Sequence, residues 1–133
     1  VRDELGLTPL HHLVSPDKGN RISIAKLLLD RGAAVDARSD VGHTSLHCAA
    51  FMGTTELVEL FLDRGADIEA KCLQYGNTAL HLASERGRAD IVALLLSRGS
   101  DSKARNDSGL VPMDLAKNEQ TRQVFLSHLL AEN

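Results

Sequence analysis

Short blocks dense in Leu, Ile, Val and Ala alternate along this chain with polar stretches that close on glycine, and the blocks recur in register. Aligning Leu7 to Leu13, His43 to Ala49, Asn77 to Ala83 and Leu110 to Ala116 places Leu10, Leu46, Leu80 and Met113 in one column, at spacings of 36, 34 and 33 residues. A second column comes from Leu27 to Ala33, Leu60 to Ala66 and Leu94 to Ser100, where Gly32, Gly65 and Gly99 stand 33 and 34 residues apart. Two independent markers with one period of this size signal a stacked array of repeated units.

Each unit reads as two antiparallel helices followed by a hairpin. The first helix opens at Thr8-Pro9, Thr44-Ser45 or Thr78-Ala79, where a Thr hydroxyl can accept from an orphan N–H and Pro9 suits the first helical position. In the third unit Leu80, Leu82 and Ala83 lead to a break at Gly87, and a second helix over about Ala89 to Ser97 carries Ile91, Val92, Leu94, Leu95 and Leu96. Gly32, Gly65 and Gly99 supply the left-handed residue that ends the second helix, and Arg31, Arg64 and Arg98 place charge at its negative dipole end. An extended stem follows, Ala33 to Arg38 or Ala66 to Lys71, closed by a tip at Asp40-Val41-Gly42, Gln74-Tyr75-Gly76 or Asp107-Ser108-Gly109. A helix pair this small cannot bury its own apolar face, so stability comes from stacking on neighbours.

These residues resemble the ankyrin repeat, a β-turn plus two helices over about 33 residues with the pattern T-P-L-H-x-A. TxLH, a Leu-rich helix and the (D/S)RG(A/S) ending recur three times, and VPMDLA in the fourth unit is similar to the TPLDLA form that closes such arrays. The resemblance implies an all-α solenoid of stacked helix-turn-helix pairs with projecting β-hairpin fingers, as one domain over residues 1–133 with repeats at about 3–35, 36–69, 70–103 and 104–133. Unit one departs by three extra residues within Ser15 to Arg21, and the second finger is one residue longer near Cys72-Leu73. The tail from Gln120 to Leu130 matches a second helix that leaves Phe125 and Leu130 on an apolar end, where another repeat or a dimer partner could stack; the oligomeric state is left open.

Composition narrows the function. With 133 residues, 43% apolar, 25% charged and a net charge of −3, the chain has the make-up of one folded domain without bulk attraction to phosphate backbones. Nucleic acid and membrane insertion are therefore set aside as partners, the longest apolar runs being far short of a bilayer span. Only 3% of residues are aromatic, so the core is aliphatic. Cys48 and Cys72 are too few for a disulfide framework and read as buried thiols of an intracellular protein, in cytoplasm or nucleus. The chain opens with Val1, which points to a fragment or processed product of a larger protein.

Six histidines invite a metal or catalytic reading, beginning with His43 and His47 or with His43, Cys72 and the long finger. His43 precedes the helix while His47 lies inside it, so the pair need not share a face. The resemblance implies that the motif histidines bond locally, His11 with Thr8, His47 with Thr44 and His81 with Thr78, with no counterpart at Asp114 and Val111. No nucleophile elbow, phosphate loop or CxxC pattern occurs, so no enzyme activity, cofactor or metal is expected. The basic columns Arg31, Arg64, Arg98 and Arg38, Lys71, Arg105 read as helix ends and solvated stems.

The resemblance also implies that finger tips and first-helix faces form the contact surface for a protein or peptide. Carried over, it gives Glu4 and Leu5, then Asp40, Val41, His43, Phe51 and Met52, then Gln74, Tyr75, Asn77, Glu85 and Arg86, then Asp107, Ser108, Leu110, Asn118 and Glu119. Val41, Phe51, Met52 and Tyr75 form its apolar cluster, extended by Leu73 where the family commonly carries Asp; aromatic and Met side chains are what interface centres enrich. The acidic members outnumber Arg86, a mild preference for a basic segment with an apolar anchor. Alternatives are a substrate-recruiting or spacing module of a larger enzyme or regulatory protein, and local packing of Leu73 and Phe51 onto neighbouring repeats.

Overall fold

The computed structural model describes residues 21–39, 42–73 and 75–131. The Thr8 and His11 motif, the extra residues of unit one, Glu4, Leu5, Asp40, Val41 and Gln74 lie outside them. Among the described residues six helices follow in order: α1 Arg21–Asp30, α2 Ser45–Met52, α3 Thr55–Asp63, α4 Ala79–Glu85, α5 Ala89–Ser97 and, after a 3-10 turn over Pro112–Leu115, α6 Glu119–Ala131.

They form two layers. An inner row runs α2, α4 and the 3-10 turn; an outer row runs α1, α3, α5 and α6, and each helix meets the next of its own row. The inner helices are short and rich in alanine, and Ala49, Ala50, Ala79 and Ala83 are buried, which lets adjacent backbones approach closely. Leu57, Val58 and Phe61 of α3 and Ile91, Val92 and Leu95 of α5 fill the space between the layers. Each pair contributes its apolar face to a continuous core, as expected of a quasi-one-dimensional array. Phe125 is buried at the foot of this core, whereas Leu130 is exposed, so the apolar end expected at α6 narrows to Leu130 and part of Leu126.

The helix stops follow the glycine column. Gly32, Gly65 and Gly99 have φ of 93°, 89° and 88°. The following N–H reaches back to Leu28, Phe61 and Leu95, and the glycine N–H to Leu29, Leu62 and Leu96, which is the Schellman pattern. A Cβ at any of the three would meet open space, so the need for glycine is conformational and not steric.

The fingers depart from the expected β-hairpins: among the described residues no strand forms. The tips of the first and third fingers are pinned by Gly42 N–H to Ser39 O and Gly109 N–H to Asn106 O, and the stems close on the cross bonds Ser39 N–H to His43 O, Cys72 N–H to Asn77 O and Asn106 N–H to Leu110 O. The first and third span four residues and the second spans five, so the extra residue is absorbed between Leu73 and Gly76. There Tyr75 adopts φ 68°, the one non-glycine residue with positive φ among the described residues.

Candidate functional site

The inner helices are fixed by their TxLH motifs. Thr44 N–H donates to His47 Nδ1 at 3.0 Å, and His47 N–H returns to Thr44 Oγ at 3.3 Å. An accepting Nδ1 leaves the proton on Nε2, which donates to the Ala70 carbonyl of the next finger at 2.8 Å. His81 repeats the arrangement with Thr78 at 3.1 Å and reaches Leu110 at 2.9 Å. His47 and His81 are therefore each a tie between consecutive repeats as well as a local cap. Burial holds His47 down at about 4 and lowers His81 below its ordinary value. In the fourth unit, where no counterpart was expected, Asp114 Oδ2 takes the Val111 N–H at 3.0 Å; a carboxylate fills the acceptor role of the imidazole.

The basic columns are also more than helix ends and solvated stems. Arg64 pairs with Asp30 at 2.7 Å and Arg98 with Asp63 at 2.9 Å, each crossing to the preceding repeat. Arg38 Nη1 donates to Gly42 O at 2.6 Å in its own finger and to Lys71 O at 2.8 Å in the next; Lys71 Nζ reaches Arg105 O at 3.0 Å. The ladder expected to lie open to solvent thus ties one finger to another.

The tips interlock. A Cβ on Gly42 would collide with the Leu73 side chain, and one on Gly76 with the Asp107 carboxylate, so each tip rests on the glycine of the finger before it. The left-handed turn of Tyr75 presents its carbonyl to Asp107 N–H at 2.9 Å. Even so, Leu73 is 75% exposed and Tyr75 65% exposed. The packing of Leu73 onto the neighbouring finger is real but covers only one side of it.

The remaining contact residues separate into groups. Asn77 is buried at 8% exposure and its Oδ1 accepts from Asn106 Nδ2 at 2.9 Å, so its side chain joins two fingers. Met52 is half-buried against the core, and His43 is half-buried with its ring centroid 6.2 Å from that of His47. Glu85, Arg86, Asp107 and Ser108 are exposed, and Leu110 is partly so. Phe51 is 37% exposed at the far end of α2, seven residues and about 10 Å of helix rise beyond Thr44. Arg86 covers it, Cζ standing 4.5 Å from the ring centroid. Of the apolar cluster expected from the sequence, the described exposed members fall at two spots, Leu73 with Tyr75 at the fingertip and Phe51 under Arg86 at the helix end, with Val41 outside the described residues. Arg88, which sequence reasoning passed over, belongs to the second spot: its Nη2 donates to Phe51 O at 3.5 Å. The signal available was the pair Arg86-Gly87-Arg88 around the break, where the second unit has Met52-Gly53-Thr54.

Cys48 and Cys72 are free, and burial pushes both thiols up to about 11, which keeps them protonated and poorly nucleophilic. Among the described residues no three His, Cys, Asp or Glu side chains gather as a metal site, and no helix is long and apolar enough to cross a membrane.

The sequence matches the family model for ankyrin repeats (3 copies) over residues 1–72 and 18–106. It is 40% identical over 70 residues to ankyrin repeat domain-containing protein 63 of Homo sapiens, covering 52% of this chain and 18% of that protein. Inactive serine/threonine-protein kinase TEX14 of Bos taurus is 40% identical over 63 residues, 47% of this chain and 4% of that protein. Protein fem-1 homolog A-like of Mus musculus is 44% identical over 57 residues, 43% of this chain and 9% of that protein. The chain thus spans less than a fifth of each of these relatives. With repeat columns, Schellman glycines and Thr-His caps in register with that match, the chain belongs to the ankyrin-repeat family.

Proposed function

We propose that this chain is a non-catalytic binding module that holds a protein or peptide along its fingertips and inner-helix ends. Ankyrin repeats are in general protein–protein interaction modules, and the finer reading concerns where and what this one binds. The observation that carries it is the second fingertip, where Leu73 and Tyr75 are 75% and 65% exposed on a loop braced from both sides. Leaving two large apolar groups in water forgoes about 25 cal/mol per Å2 of burial, a use consistent with a docked partner. A rigid aromatic anchor also loses little conformational entropy when it binds.

Asp107 and Ser108 beside this tip support a basic segment with an apolar anchor as its ligand. The array reads as one domain over residues 1–133, with repeats at about 3–35, 36–69, 70–103 and 104–133. A buried Cys72 and a half-buried Cys48, both held protonated, suit a reducing intracellular compartment. Because the relatives are several times longer, the module also reads as a recruiting part of a larger protein.

Photo-crosslinking tests the location. A benzophenone side chain placed at Tyr75 should capture a discrete protein from cell lysate, and one placed at Glu59, exposed on outer helix α3, should not. Equal capture at the two positions would refute a fingertip site.

A further inference from the structure

Two guanidinium groups meet on Phe51. Arg86 caps α4 and stacks its Cζ 4.5 Å above the ring centroid, within cation–π range. Arg88 precedes α5 and lies against Gly53, where a Cβ would meet its Cζ at 2.8 Å and its Nε at 2.9 Å. Gly53, at φ 84°, therefore admits the guanidinium on both steric and conformational grounds. The Phe51 carbonyl that Arg88 reaches stands in the last turn of α2, whose dipole favours a cation.

Most of the bonding capacity of these groups is unspent. A guanidinium carries five N–H donors in a planar fork suited to carboxylate. Arg88 uses one in a long 3.5 Å bond from Nη2; its Nε is enclosed without a partner, and Nη1 is the donor left open to a ligand. Arg86 has its ring contact, and neither arginine is in an ion pair among the described residues. The aliphatic stem of Lys117 lies against Gly87, between the two arginines in sequence. Of the acids nearby in sequence, Glu56 and Asp90 occupy the first turns of α3 and α5, where helix dipoles favour them, and Glu85 is exposed.

We propose that Arg86 and Arg88, braced by Phe51 and Gly53, form a carboxylate-binding site that takes an Asp or Glu side chain of a docked peptide while a neighbouring apolar residue covers the Phe51 ring. The inference rests on the binding-module reading and deepens it. The helix ends select an acidic residue, the fingertip a basic segment, and the separation of the two spots gives the bound peptide a direction.

The test is a nuclear magnetic resonance titration of the whole chain with a blocked peptide of Glu, Leu and Gly, and with its Gln counterpart. The Glu peptide should shift the Arg86 and Arg88 Nε–H signals saturably, and its affinity should drop roughly tenfold or more in the Arg86→Gln/Arg88→Gln variant, the size expected for charge-assisted bonds. Arg86→Lys/Arg88→Lys should recover part of the affinity, and circular dichroism should show every variant folded. Equal shifts with the Gln peptide, undiminished binding by the Gln variant, or a response only to a phosphoserine counterpart would each overturn the carboxylate site. Fingertip amides moving while the arginine signals stay still would overturn it too, yet leave the binding-module reading standing; failure of that reading would appear instead in the crosslinking at Tyr75.

Discussion

His47 concentrates the residue-scale logic of this array. One imidazole caps its own helix through Nδ1 and holds the next finger through Nε2, and burial keeps it neutral with a folded-state value of about 4. Its unfolded value is 6.5, so the folded chain binds fewer protons between those limits. The stability from this group is full above pH 6.5 and is lost as pH falls toward 4, an integrated cost of about 3 kcal/mol at about 1.4 kcal/mol per pH unit. Urea unfolding at pH 7 and at pH 4.5 should therefore differ less for His47→Asn than for the parent chain, by about 2 kcal/mol; the same pH dependence in both would contradict a neutral buried imidazole. The Thr-His pairing was legible through the family resemblance that TxLH carries. The Asp114 substitute was not, because its carboxylate looks like a departure from the motif until the Val111 N–H it accepts is in view. Asn77 was misleading for a related reason: its burial depends on Asn106 of the next finger.

At the scale of elements, glycine, arginine and one strained tyrosine decide where helices stop and how fingers align. Gly65 sits at φ 89° with open space around the missing Cβ, so Gly65→Val is expected to lose about 1–3 kcal/mol from backbone strain alone, measured by chemical unfolding. A loss under about 0.5 kcal/mol would mean that the helix stop tolerates a side chain. Tyr75 stands in the same region at φ 68°, yet its ring is largely solvated. Tyr75→Gly should accordingly leave stability unchanged or raise it by up to about 1 kcal/mol. The ion pairs Arg64–Asp30 and Arg98–Asp63 are half-exposed and are each worth under about 1 kcal/mol. Their columns were visible in the sequence, but a helix-end charge and an inter-repeat pair share one spacing, so the partner became clear only with the stack. The finger strands failed for want of length: the few backbone bonds of each finger close a turn without building a ladder.

Across the whole molecule, stability passes from neighbour to neighbour, and an end unit is held from one side only. Phe125 is the buried anchor of the last unit, packed where α6 meets α5. Phe125→Ala is expected to cost about 3–5 kcal/mol and to release α6 before the inner repeats, read as hydrogen exchange rising in 119–131 first. Uniform loss of protection along the array would contradict a one-dimensional stack. The order of the helices from Arg21 onward was readable from two columns of residues, since the period fixes which faces meet. The proposed binding surface was readable only as positions: Phe51 stands at the far end of its helix and burial withdraws Asn77, neither of which a column of letters records.

The central claim is that the exposed second fingertip binds a protein or peptide through the solvated sides of Leu73 and Tyr75, which add little to the fold. The most direct measurement takes the protein crosslinked at Tyr75, purifies it, and determines its dissociation constant for the parent chain and for Leu73→Ser/Tyr75→Asn, alongside chemical unfolding of both chains. An affinity at least about tenfold weaker, with stability changed by less than about 1 kcal/mol, is the predicted result. Unchanged affinity, or a loss of binding matched by a loss of folding, would contradict it.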